Sequence, residues 1–306
     1  MGLLTETMMV LFIVIMLGYY LNKISILDEK INKKLSEIIV KVTSPMLIIS
    51  SVLGNDGEMN KGYIIKVFIS GIFLYILLII LAKILVGIFG LKKNNRYIYE
   101  SLIIFANVSF MGFPVISALY GDSAIFPFSI INMPINILLY TYGVYLIEIG
   151  EQKEEEKFNI NNIINTGVIS SVLALIIFMI DIKVPVIIEK IFSMVGNSTI
   201  PFSMMLIGSS LALIPMKDVF SEYKTYVLAF LKLIILPIIV YYISKIIFKD
   251  ETILGFLTIS AALPSASMVV MLTSGYKDKN KVAAQGVFIT TIISIITLPI
   301  IVKLLL

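Results

Sequence analysis

The residues with chemistry to offer sit in two apolar stretches, Asn107-Val-Ser-Phe-Met-Gly-Phe-Pro114 and Ala261-Ala262-Leu263-Pro264-Ser265-Ala266-Ser267. In a helix, Pro114 and Pro264 each remove a backbone donor and block a carbonyl, and Gly112 loosens the turn before Pro114. The freed amides and carbonyls need partners, and in hydrocarbon such a break persists only where it faces protein, water or a ligand. The polar groups beside the breaks are Asn107 and Ser109 in the first, Ser265 and Ser267 in the second. All are uncharged donors and acceptors. Half-helix N-termini at such breaks favour an anionic group, a carboxylate for instance. That is the chemistry of reversible binding. With no Cys and no His in 306 residues, thiolate and imidazole catalysis, disulfides and metal centres built on those ligands are excluded. No catalytic residue, metal or cofactor is expected, and the chain does not read as an enzyme.

Either break alone reads equally well as a proline kink held by Ser and Asn side chains, which is common in membrane helices. Their occurrence at corresponding places in the two halves of the chain favours a binding role, because paired interruptions are the best sequence pointer to a carrier site.

The elements that must position these residues follow from composition. Hydrophobic residues make up 58% of the chain and charged residues 14%, and the mean hydropathy is +1.01. Long apolar runs without alternation argue for helices over a barrel, and an all-α integral membrane protein is expected. At about 20 apolar residues per span, ten helices are expected, at 4–22, 31–53, 63–89, 97–120, 123–148, 162–181, 185–213, 224–247, 252–276 and 280–304. The second and seventh begin amphipathically, with Lys33, Lys34 and Glu37 in one and Glu189 and Lys190 in the other, and are expected to start at the interface. No Lys or Arg precedes Lys23, so the basic leader of a signal peptide is missing and the first run is expected to be a retained span. No phosphate-binding loop occurs, so ion gradients would have to drive any pumping.

Counting basic residues on alternate loops gives fourteen on one side and seven on the other. The richer side is expected in the cytoplasm, with both termini outside the cell membrane. Scattered between apolar runs, these lysines do not mark a nucleic-acid partner.

The polar linker at 149–161, rich in glutamate, separates a first five-helix repeat at 1–148 from a second at 162–306. An odd number of spans on each side makes the second repeat inverted. Internal similarity supports this: Met46-Leu-Ile-Ile-Ser50-Ser51 and Met205-Leu-Ile-Gly-Ser209-Ser210 match in five of six positions at an offset of 159, and Asp122 and Asp278 stand 156 apart after the two interrupted spans.

The order and content of these motifs resemble the auxin efflux carrier family, which includes plant PIN-type auxin carriers and bacterial organic-acid permeases. Asn107 to Pro114 is similar to that family's N-x-x-x-M-G-x-P segment, and Ala261-Ala262-Leu263-Pro264 with Gly275-Tyr276 is similar to its ninth-helix crossover. The resemblance implies ten helices in two inverted repeats, crossed broken fourth and ninth helices, elevator-type movement and a homodimer. It also implies that Asn107 contacts a substrate carboxylate, that Pro114 and Pro264 form the crossover, and that Ser50 or Ser51 faces the substrate path. The expected partners are a small organic anion and the lipid bilayer. A membrane sensor or binding subunit with the same fold but no flux is the rival reading.

Other polar residues carry weaker expectations. Asn132 and Asn136 share a face of the fifth span and either line the cavity or bond a neighbouring helix; the resemblance favours the cavity for Asn136. Gln285, Thr290 and Thr291 read as packing groups, Glu37 and Lys41 as an i,i+4 pair, and Lys83 and Lys232 as snorkelling toward the cytoplasm. Glu100, Glu148, Asp122 and Asp278 fall near span ends or loops. Coupling is therefore left open between none, the substrate's own protonation, and a cation held by Asn, Ser and backbone carbonyls. No Arg lies in a span, which favours a monocarboxylate or neutral solute over a dicarboxylate.

Overall fold

The computed structural model describes residues 2–53, 60–90, 95–148, 166–213, 223–273 and 276–306. Among them the regular elements are helices, with one isolated β-bridge. In chain order these are α1 (Gly2–Lys23), α2 (Glu29–Leu53), α3 (Lys61–Ile88), α4 (Arg96–Ile104), α5 (Val108–Tyr120) and α6 (Ile125–Leu138), which runs on through Leu139–Gly143 into Val144–Glu148. They are followed by α7 (Thr166–Ile180), α8 (Val186–Leu213), α9 (Tyr223–Ile247), α10 (Glu251–Ala262), α11 (Ser267–Leu272) and α12 (Lys277–Leu305). Helix is found in each of the ten stretches expected to span. Five of these helices (α2, α3, α8, α9 and α12) are long and apolar enough to cross a membrane by length and composition. The polar linker 149–161 and Gly275 lie outside the described residues, as does the side chain of Asn136.

Local signals explain several boundaries. Asp28 caps α2 by accepting the Ile31 amide at 2.7 Å, and Asp250 caps α10 by accepting those of Thr252 and Ile253, both at 3.0 Å; in each case a first-turn glutamate adds to the favourable dipole interaction. Inside α2 the turn Ile39–Thr43 is a π-turn, whose extra residue rotates everything after it. The Glu37–Lys41 pairing expected from regular spacing is consequently absent, and Glu37 pairs instead with Lys34 at 3.3 Å.

The chain divides into two compact units that alternate along the sequence. The first takes Met1–Ile69, Ser109–Met133 and Ile164–Ile214; the second takes Ser70–Val108, Pro134–Ile163 and Pro215–Leu306. Each draws on both sides of the linker, so the units cut across the two halves of the sequence.

In the first unit α1 lies against the second half of α8, and glycine sets the distance: a Cβ on Gly18 would stand 2.1 Å from Met205 O, and one on Gly208 1.8 Å from Ile15 O. Close approach through small residues is how helices gain dispersion contacts where lipid removes the hydrophobic drive. At one end of this pair Asn22 Nδ2 donates to Ser209 Oγ at 3.1 Å, and Ser209 Oγ donates to Asn32 Oδ1 at 2.8 Å. Gly196 lets α8 meet the backbone of α2 at Leu47, and Thr166 Oγ1 donates to Val40 O at 2.8 Å, tying α7 to α2.

In the second unit α9 packs on α10 and α12, and α12 also packs on α4. Glu100, expected near a span end, is 1% exposed and accepts from Arg96 Nε at 2.7 Å. Replacing Arg96 with methionine leaves that carboxylate buried and unpaired. A destabilisation of about 1–3 kcal/mol is expected, largely relieved by adding Glu100→Gln. Thermal melts of the single and double variants check both signs.

Candidate functional site

The second unit holds both breaks, at Phe105 to Asn107 and at Leu263 to Ala266. α10 ends where Pro264 requires it: Leu263, the residue before proline, is extended at φ −61°, ψ 148°. The chain stays non-helical to Ala266, then α11 begins. α4 ends at Ile104 without a proline, Phe105 being extended at φ −88°, ψ 113°, and helix resumes at Val108. The break in the fourth span thus lies at Phe105 to Asn107, seven residues before Pro114, and not at the proline that the sequence reading made responsible. Pro114 sits inside α5, just after the π-turn Val108–Gly112.

The two breaks satisfy one another. Asn107 N–H donates to Pro264 O at 2.8 Å, Ala266 N–H donates to Phe105 O at 2.9 Å, and Ala106 and Ser265 form an antiparallel bridge between them. Each break supplies what the other lacks, which is how non-helical backbone survives at membrane depth. Both are enclosed: Phe105, Ala106, Asn107, Leu263 and Ser265 are all buried. Ser265 adds two further bonds, its N–H donating to Thr290 Oγ1 at 3.2 Å and its hydroxyl to Leu102 O at 2.7 Å. The backbone amides of Asn107, Val108, Ser265 and Ala266 are therefore engaged within the protein. Of the polar groups the sequence reading placed beside the breaks, Asn107 is buried at the crossing and Ser267, at the start of α11, is exposed.

The other expected site residues belong to the first unit. Ser109 is exposed in the first turn of α5, while Gly112 and Pro114 are buried further along it. Ser50 and Ser51 bond back to their own helix, at Leu47 O (3.0 Å) and Ile48 O (2.7 Å). Asn132 is buried there and donates to Phe128 O at 2.9 Å, whereas Asn136 belongs to the second unit.

Thr290, read as a packing hydrogen bond, accepts one from the Ser265 amide. One residue of the crossing was assigned elsewhere by the sequence reading. Lys232, read as snorkelling, is 0% exposed and donates to Ile103 O at 2.8 Å. The available signal was depth: Lys232 stands nine residues into α9, about 14 Å at 1.5 Å per residue. Lys83, read the same way, is exposed, with its ammonium 5.6 Å from the centre of the Tyr142 ring. Thr291 behaves as expected, donating to Val287 O at 2.7 Å.

Long apolar helices and two interrupted helices paired backbone to backbone define a multi-pass membrane protein with the make-up of a carrier. The chain belongs to the family described as membrane transport protein, whose model matches residues 3–302; this is the auxin efflux carrier family that the motifs resemble. It is similar to the uncharacterized transporter MJ1031 of Methanocaldococcus jannaschii, 24% identical over 305 residues and covering 96% of each chain. It is also similar to the uncharacterized transporter YfdV of Escherichia coli K12, 20% identical over 302 residues, covering 94% of this chain and 93% of that one.

Proposed function

We propose that this protein is a secondary carrier for a small organic anion, a carboxylate, bound at the crossing of the two broken helices. The observation that carries the reading is the reciprocal pairing of Phe105 to Asn107 with Pro264 to Ala266. Asn107 and Ser267 flank that pairing in the chain, and both are uncharged donors suited to a carboxylate. In this reading the Asn107 amide donates to the carboxylate without the desolvation cost of a buried arginine, and Ser267 supplies a hydroxyl. Ten spans in two inverted repeats, a homodimer in the cell membrane with both termini outside, and elevator-type alternating access complete the proposal. The division into two units, each drawing on both halves of the sequence, suits such movement.

The test screens mono- and dicarboxylates for a shift in melting of the purified protein, then measures uptake of the stabilising compounds into proteoliposomes. Asn107→Ala is expected to lower uptake about tenfold or more, because a hydrogen bond to a charged group contributes roughly 1.5–3 kcal/mol and about 1.4 kcal/mol is a factor of ten. Unchanged uptake removes Asn107 from the site. Binding without uptake favours the sensor reading, and no binding by any carboxylate overturns the anion.

A further inference from the structure

The last turn of a helix leaves four carbonyls without an intrahelical partner, and the end of α4 shows where three of them go. Ser101 O accepts the Phe105 N–H at 2.9 Å, Leu102 O accepts the Ser265 hydroxyl at 2.7 Å, and Ile103 O accepts the Lys232 ammonium at 2.8 Å. Lys232 projects from the π-turn Leu231–Ile235 of α9. Among the described residues Ile103 O is its one hydrogen-bond partner, and no carboxylate lies within 4.0 Å of it. A cation buried without an anion is costly. Here the compensation is the end of α4 itself, where the aligned peptide dipoles place the equivalent of about half a negative charge.

Three other lysines cap helix ends in the same manner. Lys23 reaches Ala212 O at 3.3 Å near the end of α8, Lys61 reaches Met179 O at 2.8 Å near the end of α7, and Lys279 reaches Ile147 O at 2.6 Å in the last turn of the helical run that follows α6. Those bonds are exposed or half-buried. Lys232 performs the task inside the core, next to the paired breaks, on the carbonyl that follows the one held by Ser265.

We propose that Lys232 is a built-in monovalent cation, its ammonium filling on the carbonyl end of α4 the place that a soluble cation would otherwise have to occupy for the crossing to form. Its consequence for transport rests on the reading of the crossing as the carrier site: a carrier whose crossing holds its own cation needs no sodium there. Of the coupling routes open from the sequence, a transported cation held by these carbonyls is the one this removes. Lys232 acts here as a positioning residue, through the backbone it holds.

The experiment compares wild type, Lys232→Met and Lys232→Ala, purified in detergent, by melting in isosmotic choline, sodium and propylammonium chlorides. Circular dichroism is the readout, since the chain has no Trp or Cys for fluorescence or thiol dyes. Wild type is expected to melt alike in sodium and choline. Lys232→Met is expected to melt lower in all three salts, by about 5 °C or more. Lys232→Ala is expected to melt lower in choline and to regain at least half the loss, saturably, in propylammonium, which matches the atoms removed. The proposal is overturned if sodium stabilises wild type saturably, if the methionine variant melts like wild type, or if propylammonium leaves the alanine variant unchanged. Should the alanine variant not survive purification in choline, it is prepared in propylammonium throughout; recovery of monodisperse protein supports the proposal, and no recovery overturns it. Melting requires no substrate, so failure here is distinct from the failure of any carboxylate to be carried.

Discussion

Gly208→Ile is expected to abolish recovery of a monodisperse folded protein. Isoleucine is the residue at the matching place in the other half of the chain, Ile49, so a reading by internal similarity alone makes the exchange conservative. The packing says otherwise. A Cβ on Gly208 would stand 1.8 Å from Ile15 O and 2.8 Å from the backbone of Tyr19, and no rotamer change moves a backbone. α1 and α8 would have to separate along their contact, losing the Gly18 approach to Met205 and the Asn22–Ser209–Asn32 hydrogen bonds with it. Gly286→Ala is the control: its Cβ would meet the side-chain ends of Leu102 and Leu228, which can turn aside. Size-exclusion profiles of detergent extracts, with the proteins fused to a fluorescent reporter, distinguish the two. A normal profile for Gly208→Ile would mean that the α1–α8 contact is not required.

The second large effect is expected at Ser265. Its hydroxyl satisfies Leu102 O and its amide satisfies Thr290 Oγ1, in a place fully closed to solvent. Ser265→Val removes the donor and adds a branched side chain at a position 0% exposed, so two penalties are expected to combine: an orphaned buried carbonyl at about 1–3 kcal/mol and overpacking at about 1–3 kcal/mol. Ser265→Ala carries the first alone. Thr290→Val orphans the amide and leaves the hydroxyl bond in place. Melting is expected to fall most for Ser265→Val and less for the other two. Equal melting of Ser265→Ala and wild type would show that the hydroxyl does not hold the crossing.

Much of the architecture was legible because the bilayer narrows the choices. Backbone in hydrocarbon must bond within its own segment, so a long apolar run can only be a helix, and helix is found in every run read as one. The end of α10 was legible for an equally local reason, since Pro264 acts on the residue before it. The break of the fourth span was not. Phe105, Ala106 and Asn107 carry no backbone constraint comparable to proline; they leave the helix because the extended segment Pro264 to Ala266, some 160 residues away in sequence, offers the hydrogen bonds that the helix would have supplied.

Charge placement followed the same rule. That a lysine occurs deep in an apolar span is visible in the sequence, but whether it reaches water or a helix end depends on what packs against α9, and only the position of α4 turns Lys232 from a snorkelling residue into a cap. The π-turn of α2 likewise redirected Glu37 from Lys41 to Lys34. Apolar spans, the proline break in the ninth and the presence of Asn107 and Ser267 beside paired interruptions were determined by the sequence by itself, because each depends on local chemistry. The true place of the first break, the part played by Lys232, the partner of Thr290, and the interleaving of two units were decided by the tertiary structure alone, because each depends on a partner distant in the chain.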